Sequence, residues 1–308
     1  MRTLFIVNPH AAGGRAARIF RQIRNRLGEA FGDSFIAVTQ TPEEVAGHIT
    51  RAAQDGLTHL IAVGGDGTNH VVLNALFQHP VPGITFGCIS VGTGSDWRRS
   101  LGAPADPFAA VEWLARAKPV PCDLGKIEYR DFLHGDQPAA RVFLNIASAG
   151  VGGDVAARVN RSRRRTSMTF LRATVMSLLQ YKPQQITVKC DGTIFYSGSS
   201  YLVAVANGRY FGRGMWIAPD ALIDDGLFDV VLVEGMSRLE ILSALKSVFS
   251  GKHLRRKDVH QTRAASVHIH SDEGPLGLDF DGEVGQGQDV IFTVLPQAIK
   301  ILRSLESF

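Results

Sequence analysis

Asp66 sits in Gly64-Gly65-Asp66-Gly67-Thr68-Asn69, between an apolar run at residues 60–63 and an apolar helical face of Val72, Leu73 and Leu76. Glycines at a strand-to-helix junction let backbone amides approach a phosphate closely, and the helix N-terminus behind them adds roughly half a positive charge. An ionised aspartate only accepts hydrogen bonds and repels phosphate, so Asp66 suits holding Mg2+ or orienting a hydroxyl or water. A plain βα turn of an open sheet explains one such loop equally well. Val91-Gly92-Thr93-Gly94-Ser95-Asp96-Trp97 is a second loop of the same kind, after an apolar run at 84–90. Two sheet ends flanking one crevice would bring both loops to one ligand. Thr93 is then the candidate contact to a phosphate or a metal-bound water, and Asp96 is either functional or a helix cap. Neither loop fits Gly-x-x-x-x-Gly-Lys-Ser/Thr, and Trp97 stands where a third glycine belongs after Gly92-x-Gly94. The P-loop and dinucleotide readings therefore fail.

Two acidic stretches add chemistry. Leu278-Asp279-Phe280-Asp281-Gly282-Glu283 alone reads as a hairpin turn. A carboxylate with a pKa near 4 is ionised at neutral pH and available as a base, and Asp279 shares Asp281's face of a strand. Leu222-Ile223-Asp224-Asp225-Gly226-Leu227-Phe228-Asp229 puts three carboxylates around a tight turn. From its residues alone it reads as an Asp-Gly hairpin turn.

Gly64-Gly65-Asp66-Gly67-Thr68 resembles the signature of the diacylglycerol kinase catalytic domain family, the bacterial lipid kinases related to sphingosine kinases. NAD kinases and phosphofructokinases share the short motif more loosely. Asn8-Pro9, Thr39, the Thr93 loop, the Asp225 turn and Asp281-Gly282-Glu283 follow in family order, so the resemblance covers nearly the whole chain. It implies ATP as co-substrate, with Mg2+, and a nucleotide bound by Asn8, Gly13, Gly14, Thr39, Gly64, Gly65, Asp66, Gly67, Thr68, Asn69, His70, Gly92, Thr93 and Gly94. It further implies a structural Mg2+ on the Asp225 side chain and the Leu222 and Leu227 carbonyls. Asp281 or Glu283 would take the proton of the attacking hydroxyl, with Asp66 in the metal shell and Asp279 helping to hold it. The chain departs from the family pattern at Ala12 (a serine in relatives), at Glu43-Glu44 (Gly-Asp), at His70-Val71 (Asn-Glu) and at Ser95 (asparagine). The activity implied is transfer of the γ-phosphoryl group to a lipid hydroxyl, diacylglycerol foremost. The rivals are a soluble-substrate kinase of the NAD kinase type and an inactive lipid- or nucleotide-binding relative.

At 308 residues, with 45% hydrophobic and 20% charged content, the chain is large enough for two globular domains. Its formal net charge of +4 is weak evidence for anionic partners. Cys88, Cys122 and Cys190 form no CxxC pair, which speaks for reduced thiols in a cytosol and against a zinc site. The apolar N-terminal run is too short for a signal peptide, and no window reaches about 18 uninterrupted apolar residues, so no spanning segment is expected. Membrane contact would then be peripheral. Arg158-Val159-Asn160-Arg161-Ser162-Arg163-Arg164-Arg165 precedes a helix with a face of Met168, Leu171, Val175, Leu178 and Leu179. It is either a solvated loop before a core helix or a dock for an anionic bilayer, each surface cation adding about 1 kcal/mol. No aromatic residues interleave with the arginines, so nucleic acid is not expected. A homodimer is left open.

The positioning elements alternate up to Lys118. A strand over residues 3–7 precedes a helix with Ala16, Ile19, Phe20, Ile23 and Leu27 on one face and Arg15, Arg18, Arg21, Arg24 and Arg26 around the rest. A strand over 35–38 leads to a helix with Thr41 as N-cap, Pro42 in its first position and Glu44 closing a capping box. Strands over 60–63 and 84–90 complete a parallel sheet with helices on both faces, as in NAD kinases and diacylglycerol kinases. From residue 121 the texture is that of short strands, at 126–129, 141–147, 186–190, 194–196, 202–206, 228–233, 266–270 and 290–294: a mainly antiparallel β-sandwich. The expected domains are 1–120 for nucleotide and 121–295 for lipid. Residues 296–305 show an amphipathic helical pattern, and by resemblance 296–308 return to the first domain.

Overall fold

The computed structural model describes residues 2–91, 94–162 and 166–304. Gly92, Thr93, Arg163, Arg164 and Arg165, singled out above, lie outside the described residues. The chain divides into two compact units, Met1–Cys122 with Gln297–Phe308, and Asp123–Pro296.

The first unit runs β1 (Thr3–Val7), α1 (Arg15–Phe31), β2 (Ser34–Val38), α2 (Glu43–Gln54), β3 (His59–Gly64), α3 (Asp66–Gln78), β4 (Thr85–Ser90), α4 (Asp96–Leu101) and α5 (Pro107–Arg116). β1 pairs in parallel with β2 and β3, and β3 with β4. Sheets covered on both faces read as unbroken apolar runs. Accordingly Phe5, Ile6, Leu60, Ile61, Ala62 and Val63 are fully buried. α1 buries the face expected of it, with Phe31 edge-on to Phe5. In register Val7 lies beside Val38 and Val63, and Gly64 beside Ser90. Four loops therefore leave the carboxyl edge of the sheet together. Asn8, Thr39, Gly65 and Val91 are the first residues of those loops.

The second unit runs β5 (Lys118–Asp131, entered from the first unit), β6 (Gln137–Phe143), β7 (Ile146–Gly150), α6 (Val151–Asn160), α7 (Ser167–Gln180), β8 (Gln184–Cys190), β9 (Thr193–Ala206), β10 (Phe228–Glu234), α8 (Arg238–Val248), β11 (Val259–Ala264), β12 (Ser266–Ser271), β13 (Leu276–Phe280), β14 (Glu283–Gly287) and β15 (Asp289–Arg303). Its pairings are antiparallel, from β14 through β13, β7, β9, β8 and β12 to β15. β10 and β11 extend it from β9. One core gathers Phe143, Phe228 and Phe292, with Phe143 stacked on Phe228 at 5.6 Å. A second lies under α6, α7 and α8 around Val155, Leu178, Leu202 and Ile241.

Three local expectations fail. Residues 296–303 are strand: the end of β15 returns to the first unit, where Lys300 and Ile301 pair in parallel with Thr85 and Phe86. Val290, Phe292 and Val294 alternate inward, but Gln297 takes a left-handed φ of 48°, which shifts the phase so that Ile299, Ile301 and Leu302 follow. That phase slip imitates helical spacing. At the head of α2 Pro42 has the helical φ and ψ of −59° and −32° expected of a first helical position, but the capping box does not form: Thr41 meets the Glu43 carboxylate, and Glu44 reaches back to the Gln40 amide at 2.8 Å. In α7 the buried face is Ala173, Thr174, Ser177 and Leu178, while Met168 and Leu171 are 71% and 45% exposed. Of the expected core stripe, Leu178 is buried and Val175 and Leu179 are half-buried, so only its N-terminal part points to solvent.

Candidate active site

Thr68 organises the glycine loop. Its Oγ1 accepts the Gly65 amide at 3.4 Å and the Asn8 side-chain amide at 3.3 Å, joining the loops after β1 and β3. A Cβ on Gly64 would meet that hydroxyl oxygen at 2.1 Å, so only glycine fits. Gly65 and Gly67, and Gly13 and Gly14 at the head of α1, face open space instead. The Asp66 and Gly67 amides belong to the first turn of α3, where a helix leaves its donors unpaired. Open space lined by such donors suits a phosphate. The Asn8 side chain also accepts the His10 amide at 3.0 Å, and the His10 ring meets Gln40 Oε1 at 2.9 Å. This His10–Gln40 link between the loops after β1 and β2 carried no signal in the sequence.

Asp66 heads α3 with one carboxylate oxygen accepting the Asp96 amide at 3.2 Å. Its Oδ1 is buried with no hydrogen-bond partner, and the Asn69 and Ser90 side chains beside it meet the Cys88 thiol. Burial, then the charge of Asp96, pushes the Asp66 carboxyl up to about 6, against the pull of the Asp96 and Trp97 amides and of Arg99. Asp96 is itself buried and paired with Arg99 at 2.7 Å, and Arg99 also donates to the Gly94 carbonyl. Asp96 is thus part of this cluster as well as the first residue of α4. Among the described residues no group of three or more metal-ligating side chains converges. Mg2+ arriving with a nucleotide keeps several waters and needs only one or two carboxylates beside the phosphates. The unpartnered Asp66 Oδ1 fits that requirement.

Thr39 and His70, both expected at the nucleotide, make internal hydrogen bonds. Thr39 is buried, and both its amide and its hydroxyl go to the Val7 carbonyl, at 3.0 and 3.5 Å. His70 is also buried, packed against Asn74 one turn along α3, whose amide donates to the His70 carbonyl at 3.0 Å.

In the second unit Asp281 takes a left-handed φ of 54°. Its Oδ2 accepts the Leu144 amide at 2.6 Å, and its Oδ1 the Asn145 and Ile146 amides, both at 3.1 Å. Three backbone donors on one ionised carboxylate fix the group in place. Glu283 is exposed at the start of β14. Asp279 lies opposite Ser148 in register and accepts the Gly282 amide at 2.8 Å. Burial pushes Asp279 up to about 7, helped by the charges of Asp281 and Glu283 and opposed by the Gly282 amide. The three acids form one electrostatic cluster. α6 lies directly over this strand: a Cβ on Gly153 would strike the Gly277 backbone at 2.4 Å.

The turn expected to hold Mg2+ is closed otherwise. Asp225 Oδ1 accepts the Leu227 amide at 3.1 Å, and Oδ2 is taken by the Arg263 guanidinium. A metal bound through Asp225, Leu222 and Leu227 would face that cation, so the residues present do not fit one.

Sequence comparison places the chain among known proteins. A profile of the diacylglycerol kinase catalytic domain matches residues 2–127, and one of the YegS C-terminal NAD kinase beta sandwich-like domain matches residues 145–303. The chain is 28% identical to a protein of Mycobacterium tuberculosis named diacylglycerol kinase, over 97% of this chain and 94% of that one. It is 27% identical to a protein of Pseudomonas putida named "Probable lipid kinase YegS-like", over 82% and 79% of the two chains. A crystal structure of a diacylglycerol kinase from Bacillus anthracis superposes with a TM-score of 0.73 at 21% identity, covering 99% of this chain and 97% of that one, and so shares its fold. With both profiles matched in order and the two described architectures in agreement with them, the chain belongs to the diacylglycerol kinase catalytic domain family, in the branch that carries the YegS-type C-terminal β-sandwich.

Proposed function

We propose that the chain transfers the γ-phosphoryl group of ATP to a lipid hydroxyl, with diacylglycerol as acceptor and phosphatidic acid as product. The observation that carries the reading is the Thr68-centred loop set, whose open glycines and unpaired first-turn amides suit a polyphosphate. In phosphoryl transfer a protein contributes mainly positioning and charge neutralisation. Mg2+, when bound with the nucleotide, would neutralise phosphate charge, and Asp66 Oδ1 is the atom free to meet its shell. Asp281 or Glu283 would accept the acceptor's proton; the amides of Leu144, Asn145 and Ile146 hold Asp281 in place for it.

A lipid acceptor is favoured over a soluble one by the exposed apolar stripe of Met168, Leu171 and Met176 on α7, with Arg172 within it. No helix among the described residues is long and apolar enough to cross a membrane. The proposed contact is peripheral, the stripe dipping into a bilayer beside basic residues such as Arg161. The test is a labelled-ATP assay across dispersed diacylglycerol, phosphatidylglycerol, sphingoid bases and ceramide, with NAD as a soluble arm. Label extracted into the organic phase with diacylglycerol is expected. Label on NAD alone would move the chain to the soluble-substrate reading, and no transfer at all would favour an inactive binder.

A further inference from the structure

The acidic turn between β9 and β10 already contains a cation. Arg263 on β11 lies opposite Asp229 in the antiparallel register. Its guanidinium binds Asp225 Oδ2, and its Nε stands 3.6 Å from Asp229 Oδ2. The rest of the turn is tied down by backbone donors. Asp225 Oδ1 takes the Leu227 amide at 3.1 Å, and Asp123 Oδ2 takes the Gly226 amide at 2.7 Å. The Asp123 amide in turn donates to the Ile223 carbonyl at 2.6 Å. Mg2+ demands near-octahedral oxygen ligands at about 2.0–2.1 Å. To enter, it would have to displace N–H donors from both Asp225 oxygens and settle beside a permanent positive charge.

We propose that Arg263 is the resident cation of this turn, holding Asp225 and Asp229 where a divalent ion would otherwise be needed, so that the unit requires no structural metal. A guanidinium does this with a planar fork of donors that stays charged at all working pH values.

The test reads stability of the full chain without nucleotide, and so is independent of what the chain phosphorylates. Thermal unfolding of wild type, R263Q and R263K is followed after chelation and again with millimolar MgCl2 or CaCl2. Wild type is expected to keep one Tm in all three conditions. R263Q leaves Asp225 Oδ2 without its donor and takes one neighbouring cation from Asp229, which keeps the charge of Arg209, and is expected to lose about 3–8 °C. Added Mg2+ or Ca2+ is expected to return part of that loss, because the emptied turn then has free oxygen ligands. R263K, which keeps the charge, is expected to lose less and to ignore the ions. If R263Q does not accumulate as folded protein, wild type and R263K carry the test. A wild-type Tm that drops on chelation and is restored by Mg2+ would overturn the proposal. So would an R263Q variant as stable as wild type, or one that is destabilised yet indifferent to both ions.

Discussion

The backbone amide of Asp96 donates to Asp66 Oδ2 at 3.2 Å, so the first turn of α4 is fastened to the acid that heads α3. The other oxygen of that acid is buried without a partner. An unpaired buried acceptor costs free energy, and a group left in that condition is a candidate for work done with a ligand bound.

Asp66→Asn should separate stability from activity. The Asp66 carboxyl is raised from 3.8 to about 6, so the folded chain holds its proton more tightly than the unfolded chain does. Protonation therefore favours folding at low pH, and stability is lost as the pH rises from about 4 through about 6. Asparagine removes that penalty while keeping an acceptor for the Asp96 amide. Above about pH 7, D66N should be more stable than wild type by at most about 3 kcal/mol, the advantage vanishing toward pH 4. Turnover should fall by about a hundredfold or more. Thermal melts across pH beside initial rates check this; a D66N variant less stable than wild type at pH 8 contradicts it.

Gly64→Ala and Gly65→Ala should fail in different ways. A Cβ at Gly64 collides with the Thr68 hydroxyl at 2.1 Å, while at Gly65 it enters open space at an ordinary φ of −110°. G64A should lower Tm by several degrees, about 2–4 °C for each kcal/mol of strain. G65A should leave Tm unchanged and raise the KM for ATP by about tenfold or more, because its methyl occupies space assigned to phosphate. Equal KM values for G65A and wild type would take the phosphate away from this loop.

Asp281→Asn and Glu283→Gln distinguish the two candidate bases. The Asp281 carboxylate accepts three amides, and an asparagine NH2 must turn a donor toward at least one of them. D281N should therefore lower Tm as well as turnover, with ATP affinity nearly unchanged. Loss of the proton acceptor costs about 10²–10⁴-fold in rate. E283Q, at an exposed position, should leave Tm alone. If E283Q loses turnover on that scale and D281N loses only stability, Glu283 is the base and Asp281 a positioning residue.

These sites were legible to different depths for physical reasons. Parallel strands buried on both faces leave uninterrupted apolar runs, so β1, β3 and β4 and the loops at Asn8 and Gly64 stood out at once. The order of the motifs carried the family. What the sequence hid were contacts between residues far apart in the chain. Asp225 looks like a metal ligand until Arg263, 38 positions later, is seen across it. Thr39 gives no hint of the Val7 carbonyl its hydroxyl reaches, and His10 none of Gln40. Periodicity also failed where it had two solutions. The phase slip at Gln297 made a strand resemble a helix, and the apolar stripe of α7 meets its buried face only toward Leu178.

That stripe gives the last prediction. Met168 and Leu171 are exposed near the N-terminus of α7, and Met176 continues the same side at 38% exposure. Core packing does not account for an apolar row in water, whereas insertion into the acyl boundary of a bilayer does. Met168→Glu with Leu171→Glu should leave Tm within a few degrees of wild type, because neither side chain supports the core. Burial of each such side chain is worth about 1.5–3 kcal/mol, so the double variant should bind anionic vesicles at least tenfold more weakly. Its rate should drop on diacylglycerol in those vesicles and persist on a short-chain, monomeric diacylglycerol. Flotation with vesicles of mixed phosphatidylcholine and phosphatidylglycerol, beside both assays, separates the outcomes. A variant that floats and turns over like wild type places the membrane contact elsewhere.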